Sequence, residues 1–142
     1  WKSAGPNRPL RVAGALIVAD GVVRPFWPPM DLRGEELTLT DTMHIVWTIV
    51  TRLLMLLAVG FAAAAFGKRF RLYSSATLMT FFVFGALTGM ESPRVAANLP
   101  TPWIGVWERI IIAAQMLWIA VLAVTLLRNQ AVWQRTPYAE SH

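Results

Sequence analysis

Five ionisable side chains and one amide lie inside otherwise apolar stretches of the chain: Asp20, Arg24, His44, Arg52, Glu108 and Gln115. Their spacing is helical. His44, Thr48, Thr51, Arg52 and Met55 fall on one face of a helix, and Gln115 follows Glu108 by two turns on the same face of another. Asp20 and Arg24 stand four residues apart, the spacing at which two charges pair along one helix. Such a set of buried charges can hold an ion, a proton or a small polar ligand, or it can tie helices together. His44, beside Trp47, could ligate a pigment or haem iron through a ring nitrogen, although a hydrogen-bonding role near a helix end is the simpler reading. No cofactor is therefore expected, with His44 the one candidate contact to such a group.

Other chemistries lack their residues. Cysteine is absent, which removes disulfides, thiolate nucleophiles and cysteine metal sites. Only two histidines are present, His44 and His142, too few for a histidine-rich metal centre. Ser74, Ser75 and Ser92 have no histidine near them in sequence to act as a base. The expectation is a protein that is not an enzyme and holds no metal.

The elements that must position the polar set are greasy. Of 142 residues 56% are apolar and 15% charged, and the mean hydropathy is +0.49, too apolar and too sparsely charged for an ordinary soluble domain. Residues 110–127 contain only Gln115 and Thr125 as polar members, enough to cross the roughly 30 Å hydrocarbon core of a bilayer as a helix. Four spans are expected, over about 10–28, 43–66, 72–90 and 104–128, followed by a polar tail over 129–142. The first is the most polar, with Asp20 and Arg24 inside it, and is expected to stop at Pro28-Pro29. Lys2, Arg8 and Arg11 ahead of it resemble the start of a signal peptide, but Asp20 interrupts the apolar run and no cleavage site follows, so it reads as a retained helix. Asp41 or Thr42 is the expected cap of the second span, residues 67–71 an expected basic turn, and 91–102, with three prolines, an ordered loop. The fold class is all-α, an integral membrane four-helix bundle forming a single domain.

Loop charges orient the bundle. Lys2, Arg8 and Arg11, then Lys68, Arg69 and Arg71, then Arg128 and Arg135 fall on one side of a four-span chain, while Asp31, Glu35, Glu36 and Asp41 fall on the other. The positive-inside tendency places both termini in the cytoplasm and the bundle in a bacterial inner membrane. A net charge of +5 distributed in this way has no basic face suited to nucleic acid. Trp27, Trp47, Trp103, Trp107 and Trp133 near span ends form an expected aromatic belt in the lipid headgroups.

Counting depth at about 1.5 Å per residue, Asp20 and Arg52 each lie about 12 Å below the span ends opposite the basic turn, and Arg24 and Glu108 each about 6 Å. Two cross-helix ion pairs, Asp20 with Arg52 and Arg24 with Glu108, are expected, with Gln115 extending the layer and Arg109 reaching the headgroups or Glu91. Each unpaired charge at such depth would cost about 2.5 to 3.5 kcal/mol.

The run Gly105-Val-Trp-Glu108-Arg109 leading into the apolar segment with Trp118, and closing on Leu127-Arg128, resembles the last helix of a bacterial and archaeal membrane family, that of domain of unknown function 998. Pro28-Pro29, the polar loop after it, the Asp41-Thr-Met-His44 helix start and the Lys68-Arg69-Phe70-Arg71 turn fit the same family, so the resemblance covers about 10–128. It implies a polytopic membrane protein without an established chemistry. Its members usually have more spans, which makes this chain a shortened relative or one that lacks the first helices.

Function is expected to follow location. The first reading is an accessory or structural subunit that packs on other membrane protein subunits, in a respiratory or photosynthetic type of complex, through the small residues of 62–65 and Gly85/Gly89. The alternative is a small transporter or a protein that binds lipid or another small molecule at Asp20, Arg52, Glu108 and Gln115, with a cavity between the first, second and fourth spans. Membrane lipids are partners in either case.

Overall fold

The computed structural model of the chain describes residues 7–30, 38–97 and 99–135, with side chains as far as residue 129. The acidic loop at 31–37, the polar tail from 136 to 142 with His142, and the Trp133 side chain lie outside the described residues. All regular structure among the described residues is helical: α1 (Arg8–Val23), α2 (Leu39–Ala65), α3 (Lys68–Met90), α4 (Ser92–Ala96) and α5 (Ile104–Arg135). The four long helices are the expected all-α bundle. Three segments, Leu39–Ala65, Lys68–Ala96 and Ile104–Asn129, are long and apolar enough to cross a membrane. At 16 residues, or about 24 Å, α1 is shorter than the span expected for it.

Helix ends explain most of the differences from the sequence reading. The α-helix of α1 stops at Val23, and a 3-10 turn over Arg24–Phe26 follows, because Pro25 has no N–H to continue the ladder. The stop therefore comes before Pro28-Pro29. The cap of α2 is Thr38, rather than Asp41 or Thr42. Thr38 Oγ1 accepts from the Asp41 N–H at 3.1 Å while the Asp41 carboxylate accepts from the Thr38 N–H at 3.1 Å, a reciprocal capping box. The basic residues 68–71 do not form a turn but open α3, which leaves only Phe66 and Gly67 as the connection. In the 91–102 linker, Pro93 in the first turn of α4 supplies a preset helical φ, so part of that loop is helical. At the other end α5 continues past Arg128 to Arg135.

The helices pack as two antiparallel pairs, α1 along α2 and α5 along α3. Both ends of the first pair are tied. Asn7 caps α1 and donates through Nδ2 to the Ala65 carbonyl at 3.2 Å. At the opposite end the Trp47 indole donates to the Val23 carbonyl at 3.1 Å. In the second pair Trp118 is completely buried and its Nε1 donates to Ser74 Oγ at 3.0 Å.

The two pairs join at the Phe66–Gly67 connection, where rings close the core. Phe70 packs on Phe66 at 4.8 Å and on Trp118 at 6.2 Å between ring centroids. Ala58, Ala62 and Ala63 are buried beside Val59 on α2, where short side chains let helices approach closely. In a bilayer this contact, rather than removal of apolar surface from water, holds helices together. Large apolar side chains such as Leu72, Met79, Met116, Leu117 and Leu127 stand exposed around the bundle, as suits a protein whose surroundings are hydrocarbon.

Candidate functional site

Away from the aromatic core the two helix pairs separate, and a cavity of about 910 Å³ lies between α2, α3, α4 and α5. This volume falls in the range of small-molecule sites. Its walls are mainly apolar: Ile45, Ile49 and Met55 from α2, Phe81 and Phe82 from α3, and Ile104 and Ile111 from α5. Gly85, Ala86 and Gly89 line the α3 side. A methyl group added at Gly85 or Gly89 would touch nothing within 4 Å, so these glycines do not form the close helix crossing that their spacing suggests; they widen the cavity. α4 places Ser92, Val95 and Ala96 at one end of it.

Few polar groups face this space. Thr48 and Thr88 spend their hydroxyls on carbonyls of their own helices, those of His44 and Phe84, each at 2.8 Å. His44 is held from behind: its Nδ1 lies 2.8 Å from the Pro28 carbonyl and 3.2 Å from the Trp27 indole nitrogen, with the two rings tilted at 58°. One nitrogen cannot both donate to the carbonyl and accept from the indole, and the shorter contact favours donation to Pro28. His44 thus ties the end of α1 to α2. The remaining polar groups on the wall are Ser92, at the α4 end, and the two charged side chains Arg52 and Glu108.

The six residues expected to form a site are divided by the fold. His44, Arg52 and Glu108 line the cavity. Asp20 and Arg24 sit in α1, and they pair with each other, Arg24 Nε donating to Asp20 Oδ2 at 2.7 Å. Asp20 is 5% exposed, and its Oδ1 is buried without a hydrogen bond. Neither expected cross-helix ion pair, Asp20 with Arg52 or Arg24 with Glu108, forms among the described residues. The depth arithmetic places Asp20 and Arg52 at one level, since Asn7 meets Ala65 and Pro28 meets His44 at the two ends of the α1–α2 pair. Arg24 on the same helix reaches Asp20 at the short i,i+4 distance instead. Arg24 and Glu108 belong to different pairs, α1 with α2 and α5 with α3.

Gln115 is buried on the α5 face that carries Ile111, Trp118 and Leu122, outside the cavity wall. Arg109 folds back to donate to the Gly105 carbonyl at 3.0 Å, while Glu91 pairs with Arg94 at 3.5 Å, so Arg109 does not reach Glu91. The cavity lies between the second, third and fourth long helices, and not between the first, second and fourth.

Arg52 is the unusual group. It is half-buried, forms no ion pair or hydrogen bond among the described residues, and feels the charges of Arg24, Glu108 and Asp20. Guanidinium groups at membrane depth usually find a partner, because an uncompensated charge there costs about 2.5 to 3.5 kcal/mol. No cluster of three metal-ligating side chains occurs among the described residues.

The α3 contribution was not legible as a site. The Gly85/Gly89 pair signals small residues, but the same spacing serves a helix contact and a widened cavity. Trp47 carries an interhelical hydrogen bond, and Trp27 sets its ring against His44, in addition to lying near helix ends. The side chain of Ser74 gives no local hint of Trp118, 44 residues away.

No curated protein and no solved structure matches the chain. The model of the family described as protein of unknown function (DUF998) matches residues 5–125. That match takes in α1 to α4, every cavity-lining residue and most of α5, and the chain belongs to the DUF998 family.

Proposed function

We propose that this membrane protein binds a small amphiphilic molecule in the cavity between α2, α3 and α5. One observation carries the reading: Arg52 stands on the wall of a mainly apolar cavity with no ion-pair partner among the described residues. Apolar walls with one or two polar anchors are the usual composition of a small-molecule site. The reading is non-enzymatic and requires no cofactor. By the positive-inside tendency, residues 68–71 face the cytoplasm of a bacterial cell and the cavity lies toward the other leaflet.

A role as an accessory subunit has less support. It rests on the small residues of 62–65 and on Gly85/Gly89, yet of these Ala62 and Ala63 are buried within the chain, with Ala64 exposed, and Gly85 and Gly89 line the cavity.

The test is native mass spectrometry of the protein purified in mild detergent. The reading expects an amphiphile bound at about one per chain in the wild type and absent from Gly85→Leu, whose side chain would enter the cavity. The same adducts at equal occupancy in both proteins, or none in either, would overturn it.

A further inference from the structure

We infer that the ligand is a hydrophobic monocarboxylate taken from the bilayer, with its carboxylate on Arg52; the inference rests on the cavity being a binding site. The planar guanidinium offers paired N–H donors that match a carboxylate. Asp20, the carboxylate level with Arg52 in the α1–α2 pair, is bonded to Arg24. The protein thus places a cation on the cavity wall, gives Asp20 to Arg24, and forms no ion pair between Arg52 and Glu108 on the same wall, and a carboxylate arriving in the cavity completes the pair.

The same wall limits the ligand to one negative charge. Glu108 faces the cavity and repels a second anionic group such as a phosphate diester with a further acid. Elsewhere the lining is mainly apolar, the Thr48 and Thr88 hydroxyls are satisfied within their own helices, and Ser92 stands at the α4 end. The route in is lateral. Ile45, Ile49 and Phe82 line the cavity and are 41%, 55% and 61% exposed, so the gap between α2 and α3 is edged by residues that face acyl chains. A carboxylate on Arg52, about 12 Å along α2 from His44, leaves room for an apolar body beside Gly85 and Ala86 and a tail that leaves through the gap.

The experiment is saturation binding of radiolabelled laurate to the full chain in maltoside micelles, with dodecanol and dodecyltrimethylammonium as competitors of equal chain length. Laurate is expected to bind at least about tenfold tighter than either competitor, the scale of one charge-assisted hydrogen bond. Arg52→Gln should remove that preference, Arg52→Lys should keep part of it, and Gly85→Leu should abolish binding of all three. The competitor comparison on the wild type decides the matter even where a variant fails to fold. Equal binding of the three amphiphiles, lost in Gly85→Leu, would overturn the carboxylate inference and leave the cavity reading standing. No saturable binding of any of them, or binding indifferent to Gly85→Leu, would overturn both. A water-soluble acid such as benzoate binding as tightly as laurate would overturn the bilayer as the source.

Discussion

Asp20 and Arg52 occupy the same level of the α1–α2 pair, yet the carboxylate of Asp20 bonds Arg24 at 2.7 Å and leaves its other oxygen without a hydrogen bond. Two guanidinium groups thus stand near one buried carboxylate, and the nearer in sequence has it. This division leaves Arg52 to the cavity.

Removing Arg24 should release the carboxylate toward Arg52. Arg24→Gln is expected to lower unfolding free energy by less than about 1 kcal/mol, the scale of a partly exposed ion pair. Asp20→Asn deprives Arg24 of its bonded partner and Arg52 of a neighbouring anion and should cost about 2 to 3 kcal/mol. Unfolding in mixed micelles measures both, and equal losses would contradict the shared-carboxylate arrangement.

The Trp118–Ser74 bond makes a second prediction. Ser74→Ala strands a buried indole N–H and should cost about 1 to 3 kcal/mol. Adding Trp118→Phe removes the stranded donor, so the double variant should lose less than the sum of the single losses. A strictly additive pair would show that the hydrogen bond contributes nothing.

Much of the fold was legible because its signals are local. The 110–127 run announces its helix by length, and the spacing of Asp20 and Arg24 allows the pair that forms, although cross-helix partners are the expectation for both. Legibility failed where partners are distant or where one pattern serves two ends. Thr38 and Asp41 satisfy the capping pattern, but the sequence equally offers Asp41 and Thr42 as caps. Depth arithmetic placed Asp20 level with Arg52, while the choice between Arg24 and Arg52 depends on side-chain reach. The cavity needed knowledge that α5 lies along α3 and α1 along α2, which no single segment encodes.

Thr38 should matter to the entrance of α2. Thr38→Ala removes the acceptor for the Asp41 N–H and is expected to cost about 1 kcal/mol. Hydrogen exchange should speed up in the first turn of α2 and stay unchanged around Trp118. Unchanged exchange at 39–42 would contradict the cap.

His44 is predicted to act as a tie between α1 and α2. In His44→Ala the Pro28 carbonyl loses its donor and the Trp27 ring its packing partner, and limited proteolysis should cut near 27–30 faster than in the wild type. A proteolysis rate equal to that of the wild type would mean that Trp47, through Val23, holds this end alone.

Photo-crosslinking tests the binding cavity most directly. A twelve-carbon amphiphile with a diazirine close to its polar end, offered both as the acid and as the alcohol, would be irradiated with the protein in lipid nanodiscs and the adducts mapped by mass spectrometry. At least one form is predicted to label residues 45–56 of α2 and 81–89 of α3, with unlabelled amphiphile suppressing the adducts. Labelling of exposed Leu72, Leu117 and Leu127 as heavily as the cavity by both forms, without competition, would contradict the account.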